Sequence, residues 1–424
     1  MNTRGWTILL IIVVLGVAGW FTYEYLKEKP PAWLIGFLTK TEPPPPLPPG
    51  DLAPLTAPEG FTARIFSREV PGARVMIRDP KGTMLVSLTA SGKVVALPDL
   101  DSDGVADRTV TVLENLKQPH GLAVICPETG SASADQDACV LYVAETGELK
   151  TYAYDADTMS ARYAETRTTY PTGDGHYTRT LLPHPDGQTL LMSVGSSCNV
   201  CDEGDPRRAT VQALTLPTNQ VSTFAAGLRN TVFMAIDPVT GEVWGTDNGR
   251  DVIGDDIPPD EVNVLSGPTT GVGNPPNFGW PICYGQNVHD TDFDTKQYIR
   301  DPCADAVPAH IDLQAHSAAL GLAFVPEEGW PDGWGNDLLV AFHGSWNRSV
   351  PTGYKVVRIP LDPRTREATS APVDFLTGFL APDATKTDAA IGRPVGVLAE
   401  PGGVVFVSDD RAGAIYRITR DAQP

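Results

Sequence analysis

The sequence predicts an all-β fold, a six-bladed β-propeller carried behind an N-terminal transmembrane anchor. Three observations lead there. A strand, a Pro/Asp/Gly turn, a second strand and a polar loop recur six times after residue 60; the 40 Gly and 39 Pro are spread along the chain instead of forming one tract; and an uncharged apolar run stands near the N-terminus. Dispersed turn formers suit many short strands and leave little room for long helices. With 424 residues, 42% of them hydrophobic, the chain can bury a large core.

The first element in chain order is "WTILLIIVVLGVAGWFTYEYL", preceded by Arg4 and followed by Lys27 and Lys29. From Trp6 to about Tyr23 it lies near the lower length limit for a membrane-spanning helix. Val17-Ala18-Gly19 offers a small-residue cleavage site, yet Trp20, Phe21 and Tyr23 prolong the apolar run past it. Residues 1–29 are therefore expected to remain as a membrane anchor with the N-terminus inside, in preference to a cleaved signal. Residues 30–59 contain "TEPPPPLPPGDLAP", whose prolines hold extended polyproline conformations, so this stretch reads as a semi-rigid stalk.

Residues 60–424 form the propeller. Its six units are "VMIRDPKGTMLVSLTASGKVVAL", "HGLAVICPETG" with "CVLYVAETGELKTYAY", "RTLLPHPDGQTLLMSVGSS", "VFMAIDPVTGEVWGTDNGRD", "LGLAFVPEEGWPDGWGNDLLVAFHGSWN" and "VGVLAEPGGVVFVSDDRAGAIYRI". One such sheet cannot bury both of its faces, and radial stacking of sheets at periods of about 40 to 60 residues resolves that.

Charge and cysteines narrow the setting. Lys plus Arg total 32 against 52 Asp plus Glu, a net charge of −20, which repels nucleic-acid phosphates and excludes nucleic-acid partners. Six cysteines fall in close pairs, Cys126 with Cys139, Cys198 with Cys201 and Cys283 with Cys303, as expected for disulfides made in an oxidising compartment. Zinc at Cys198 and Cys201 is the weaker alternative, since nothing nearby completes four ligands.

Loops at one propeller rim converge on the channel mouth, so residues flanking the inner strands become neighbours. Gln118, His120, His176, Arg229, Asn230, His316, Ser317 and Arg393 each stand just ahead of an inner strand; Ser196, Asn248, His343 and Asp410 stand at the far end of the strand pair. Apolar side chains would fill a bland propeller centre at less cost than these polar ones. Near neutral pH His176, with Asp174 close enough to orient it, can remove a proton. Arg229 can hold an oxyanion or carboxylate, and Asn230 can bridge donors and acceptors. "TDNGRDVIGDD" is rich in oxygen donors suited to a hard cation such as Ca²⁺. "PDLDSDGVAD", with Asp99, Asp101, Asp103 and Asp107, is a second calcium-like loop, although it lacks the terminal Glu and reads equally as a polar hairpin turn. Trp346 can stack on a flat ligand or pack between blades, while His184 and His310 read as structural.

The segments "GHYTRTLLPHPDGQTLLMSVGSSCNVC", "GLRNTVFMAIDPVTGEVWGTDNGRD", "DDIPPDEVN", "NFGWPICYG" and "LLVAFHGSWNR" together resemble the L-sorbosone dehydrogenase branch of the soluble glucose/sorbosone dehydrogenases. That family consists of six-bladed propellers using pyrroloquinoline quinone (PQQ) with calcium, and the resemblance runs from about Gly60 to Thr419. It implies that His176 is the catalytic base, that Arg229 stands beside the reacting C5 carbonyl of the quinone, and that Asn230 contacts the cofactor. It further implies that Gly249 and Arg250 offer main-chain carbonyls to Ca²⁺ and that Arg393 pairs with a PQQ carboxylate. Gln118, His120, Ser317, His343, Arg348 and Arg411 complete the expected cofactor contacts. Where the glucose enzymes place a cofactor-contacting lysine, this chain reads Phe342-His343-Gly344-Ser345-Trp346-Asn347-Arg348, and Arg348, Lys355 and Arg411 are the candidates to supply its charge.

The expected function is a PQQ- and calcium-dependent dehydrogenase oxidising a sugar, sugar aldehyde or polyol on the periplasmic side of the inner membrane, with a membrane quinone or cytochrome as electron acceptor. A calcium-dependent propeller lactonase or hydrolase and a non-enzymatic binding propeller are the alternatives. The lactonase would hold calcium by side-chain carboxylates at the channel floor and need no arginines around a planar anion.

Overall fold

Every one of the six strand–turn–strand units grows into a four-stranded antiparallel sheet. The structure is a computed structural model that describes residue 20 and residues 55–127, 139–173, 175–266 and 275–422. From the axis outward, blade 1 is Ala73–Arg78, Met84–Leu88, Lys93–Leu97 and Val110–Leu113. Blade 2 is Leu122–Ile125, Cys139–Ala144, Glu148–Asp155 and Ser160–Thr169. Blade 3 is Leu181–Pro183, Thr189–Val194, Thr210–Thr215 and Gln220–Ala226. Blade 4 is Thr231–Ile236, Val243–Asp247, Asp260–Val264 and Ile311–Leu313, and blade 5 is Ala319–Phe324, Leu338–Phe342, Lys355–Ile359 and Val373–Leu376.

Blade 6 closes the ring. Its inner strands Pro394–Glu400, Val404–Asp409 and Ala414–Arg420 accept an outer strand from the other end of the domain, Phe61–Ser67, with Phe61 opposite Arg420. Each innermost strand touches the innermost strands of both neighbouring blades, so the six surround one axis. Thr56 pairs with Thr377 through N–H···O bonds of 2.9 and 3.0 Å, so the chain reaches the first strand along the outside of blade 5.

Burial follows from this stacking. A second strand is covered by neighbouring blades on both faces, so it needs an apolar run and not an alternation; Met84–Leu88, Thr189–Val194 and Leu338–Phe342 are buried at every position. Outer strands face solvent, and Ser160–Thr169 is mostly exposed. The three cysteine pairs are joined as disulfides, so Cys198 and Cys201 keep no thiolate for zinc. The Cys283–Cys303 bridge pins the long connection of blade 4, which carries the small hairpin Cys283–Tyr284 and Val288–His289.

The predicted turn Pro238-Val239-Thr240-Gly241 joins the two inner strands of blade 4, with Gly241 N–H on Asp237 O at 2.8 Å. Asp237 is fully buried and accepts Arg366 Nε–H at 2.8 Å, which ties blade 4 to blade 5. Removing one member of a buried pair strands the other charge. Arg366→Ala is therefore expected to lower the unfolding free energy by about 3–5 kcal/mol, read from the urea midpoint.

The expected anchor, residues 1–29, lies outside the described residues apart from Trp20, as does most of the stalk. Among the described residues no helix is long and apolar enough to cross a membrane.

Candidate active site

In an antiparallel pair the residue before the first strand and the residue after the second share one end. Thr231 pairs with Asp247, Ala319 with Phe342 and Pro394 with Asp409. His176, Arg229, Asn230 and Arg393 therefore meet Ser196, Asn248, His343 and Asp410 on a single rim, although they come from four blades.

His176 is held at both ends of its residue. Its N–H donates to Ser196 O at 2.9 Å, and its carbonyl accepts Arg179 Nη1 at 2.9 Å. Its ring Nδ1 lies 2.9 Å from Ser196 Oγ and 3.2 Å from Ser196 O. The Ser196 hydroxyl gives its proton to Cys198 O at 2.7 Å, so both neighbours of Nδ1 act as acceptors. Nδ1 thus carries the proton, and Nε2, with no partner among the described residues, keeps its lone pair. Burial, and then the Arg229 charge, hold the imidazole well below its ordinary pKa. Gly195 is required here: a Cβ on it would lie 2.6 Å from Asn230 Oδ1 and 2.7 Å from His176 Cβ. Asp174, the expected orienting partner, lies outside the described residues; Ser196 is the residue that orients the ring.

Arg229 is buried and almost fully satisfied. Nε donates to Asn199 O at 2.8 Å, Nη1 to Asn248 O at 3.2 Å, and Nη2 to Asn199 Oδ1 at 2.8 Å and Asp251 Oδ2 at 3.0 Å. A guanidinium has five N–H groups, so one on Nη1 is left. Asn199, which sequence reasoning did not single out, sits between Cys198 and Cys201, and the disulfide sets the tight loop that presents it. Its place inside a two-residue Cys–Cys spacing was the available signal. Asn230 N–H is held by Asp247 Oδ1 at 2.7 Å, while its own Oδ1 is buried without a partner.

Gly249 N–H donates to Asp260 Oδ1 at 3.0 Å, and a Cβ there would meet Pro259 O at 2.6 Å, so only glycine fits this turn. Arg250 turns its guanidinium to Asp290 at 3.1 Å and Asp292 at 2.5 Å, which leaves its main chain as the only part available to a cation. Asp247 is pushed up to about 8 by burial and the Glu261 charge, against N–H bonds from Asn230 and Arg229. The main-chain carbonyls of Gly249 and Arg250 are oxygen donors, the type that suits a hard divalent ion. The loop of Asp99, Asp101 and Asp107 gathers three carboxylates within 4.8 Å of one another, but it joins the two outer strands of blade 1, away from the mouth.

The axis holds a second polar cluster. His343 Nε2 lies 3.0 Å from Asp410 Oδ1, and Asp410 Oδ2 accepts Arg74 Nη1 at 2.6 Å. Arg393 Nε donates to His343 O at 3.1 Å and Nη2 to Gly344 O at 2.5 Å. Burial, and then Arg393, bring the His343 imidazole down to about 4. Asp410 stays well below the usual carboxylate range because His343, Arg74 and Arg393 outweigh the upward push of burial.

Several expected contacts lie elsewhere. His120 and Ser317 have no exposed surface and cannot touch a bound molecule. His120 Nδ1 bonds Thr180 Oγ1 at 3.2 Å, and Ser317 Oγ donates to Gln314 O at 2.7 Å. Gln118 is exposed beside blade 2, its Oε1 taken by Thr146 at 3.1 Å. Arg348 is spent on the neighbouring loop: Nη1 on Asp255 O and, at 3.2 Å, on Ala315 O, and Nη2 on Asp256 at 3.1 Å. His316 Nε2 likewise bonds Gly254 O at 2.8 Å. Arg411 Nε donates to Ala390 O at 2.7 Å. A cavity of about 990 Å³ lies away from this rim; Arg78, Pro183, Pro238, Glu327 and Ala399 place it at the other mouth of the channel, where inner strands end.

A family profile described as TrAA12-like matches residues 55–421. A PQQ-dependent sugar dehydrogenase of Hypocrea jecorina is 26% identical over 416 residues, covering 87% of this chain and 90% of the relative. A PQQ-dependent pyranose dehydrogenase of Coprinopsis cinerea is 26% identical over 402 residues, covering 82% of this chain. The chain spans 52% of that relative's length, and 56% of a protein of Borreliella burgdorferi to which it is 35% identical over 231 residues, 54% of this chain. The calcium structure of the Trichoderma reesei carbohydrate-active enzyme of family AA12 superposes with a TM-score of 0.73 at 23% identity, covering 87% of this chain and 97% of that one. At that identity the likeness establishes the six-bladed fold.

Proposed function

The chain belongs to the TrAA12-like family, and from that premise we propose that it is a PQQ- and calcium-dependent dehydrogenase of sugars, with sugar aldehydes of the sorbosone type and polyols as the nearest substrate classes. One observation carries the reading. In a protein of net charge −20, the buried arginines Arg208 and Arg229 lie beside the neutral His176, while Arg74 and Arg393 stand by Asp410 on the same rim. Such a concentration of buried cations suits a planar polyanion. The residues present fit PQQ on two further counts: Asn230 Oδ1 is a buried acceptor without a partner, and Arg393 keeps N–H groups beyond those on His343 and Gly344.

When bound, PQQ supplies the hydride acceptor. His176 Nε2 takes the proton of the substrate hydroxyl, its tautomer set by Ser196. Arg229, rigidly held by Asn199 and Asp251, turns its last N–H toward developing negative charge. The carbonyls of Gly249 and Arg250 are the places for Ca²⁺. The three disulfides and the apolar run from Trp6 to Tyr23 support an anchored protein on the periplasmic side of the inner membrane, passing electrons to a membrane quinone or a cytochrome.

The full-length chain, purified in detergent with Ca²⁺, is expected to hold PQQ absorbance through gel filtration and to reduce a dye with aldoses or sorbosone. Lactone hydrolysis in the absence of PQQ, with no PQQ retained, would sink the reading in favour of a hydrolase. A pH dependence follows as well. A base must be deprotonated to act, and burial and Arg229 keep His176 neutral to well below pH 6.5. The acid limb of kcat/KM is thus expected well below that value, with full activity retained as pH falls through the ordinary imidazole range.

A further inference from the structure

We propose that Arg74, from the innermost strand of blade 1, is the cation that meets a PQQ carboxylate in place of the family's lysine, held in position by Asp410. The inference rests on the PQQ reading above. Two of the three residues first considered for that charge are committed elsewhere: Arg348 to the loop of Asp255 and Asp256, and Lys355 to Asp374 at 2.6 Å on the outer strands of blade 5. The third, Arg411, directs Nε to Ala390 O.

Arg74 leaves both Nε and Nη2 unused, where Arg348 leaves only Nε without a partner and donates through Nη2 to Asp256. Arg74 is 6% exposed and has a single hydrogen bond among the described residues, Nη1 on Asp410 Oδ2 at 2.6 Å. Its Nε is buried without a partner, and Nη2 donates to no described residue. The Nε–Nη2 edge is the one by which arginine grips a carboxylate with two parallel N–H bonds. A buried guanidinium with that edge unsatisfied is unfavourable unless a ligand or water completes it.

The surroundings fit an anion. Arg74 is joined through Asp410 to His343 Nε2 at 3.0 Å, and the His343 carbonyl accepts Arg393 Nε at 3.1 Å, so the two arginines flank one stretch of the mouth. Within this group Arg74 and Arg393 carry two positive charges against one on Asp410, and His343 is neutral. One net positive charge remains, which one carboxylate neutralises. Asp410 also stops Arg74 from swinging away, because its second oxygen is fixed by the imidazole.

Equilibrium binding of PQQ to the full-length protein with Ca²⁺, followed by quenching of tryptophan fluorescence, tests this without turnover. Arg74→Gln is expected to weaken binding by about 10-fold or more, the loss of a charge-assisted pair, while Lys355→Gln stays within about twofold of the parent. The trimethyl ester of PQQ separates a carboxylate contact from a general packing effect. The parent should prefer PQQ to its ester, and Arg74→Gln should narrow that preference, which a merely structural arginine would not do. Arg74→Lys keeps the charge without the fork and should recover part of the affinity; it carries the test if the glutamine variant fails to fold. Failure of the parent to bind PQQ defeats the functional reading itself. Parent binding with an unchanged preference in the Arg74 variants overturns this inference alone.

Discussion

Replacing His176 by alanine is expected to lower turnover by about 10²–10⁴-fold, the range for losing a general base, while PQQ affinity stays near that of the parent. The separation follows from what the ring touches. Its Nδ1–H is spent on Ser196, its main chain on Ser196 and on Arg179 and Arg208, and only Nε2 is open to substrate. Alanine keeps the main-chain bonds and removes only the proton acceptor. The ring is not a strut for Arg229, whose four hydrogen bonds run to Asn199, Asn248 and Asp251. Steady-state kinetics beside fluorescence titration of PQQ give both readouts. Full turnover in the variant would remove His176 from the mechanism; lost PQQ binding would make it a cofactor ligand.

Arg229→Gln is expected to reduce kcat by about 10²–10³-fold, comparable to deleting one oxyanion donor, and to move the acid limb of the pH profile upward. The sign of that shift is set by electrostatics. Arg229 is the largest charged contributor to the low pKa of His176, after burial. A positive neighbour disfavours the imidazolium, so its removal raises the folded pKa toward the ordinary value, and activity is lost at higher pH than in the parent. Burial is untouched by the substitution, so the limb should stop short of pH 6.5. The variant also leaves Asp251 without its cation, since the Asp251 carboxylate is otherwise held by Asn347 Nδ2 at 2.9 Å. A lower Tm is expected as a consequence. A fall in kcat without movement of the limb would mean that Arg229 acts on the reaction but not through the histidine.

Much of the rim was legible because propeller turns are local. Pro238 to Gly241 and the other Pro/Asp/Gly turns set hairpin positions from four or five residues, and an antiparallel pair then puts its chain ends together without reference to the rest of the protein. That local geometry brings His176, Arg229, Asn230, His343 and Arg393 to one rim. The misplaced residues share a different origin. Gln118, His120 and Ser317 stand in the right place along the sequence, but which of them faces the mouth depends on side-chain direction. Direction is altered where the strand register shifts, as at Ala73/Met76 and, just beyond Ser317, at Ala319/Leu322; the inner pair of blade 2 is regular, and there the left-handed backbone of Gln118 (φ 52°) turns the chain ahead of the strand. A bulge adds a residue and re-aims its neighbours, so alternation counted along the chain fails at the rim. Arg74 lies inside the first of these irregularities and was missed.

Fold class, the number of blades, the three cysteine pairs and the gathering of His176, Arg229 and Arg393 at one rim were already written in the chain, because each depends on residues a few positions apart or on repetition of one short pattern. The closing strand Phe61–Ser67, the joining of Arg74 to Asp410 across 336 positions and the commitment of Arg348 to the Asp255–Asp256 loop were settled only when the ring closed. No local propensity encodes them: each is a contact between blades, and the packing of all six decides which polar groups face the hollow and which are buried in the walls.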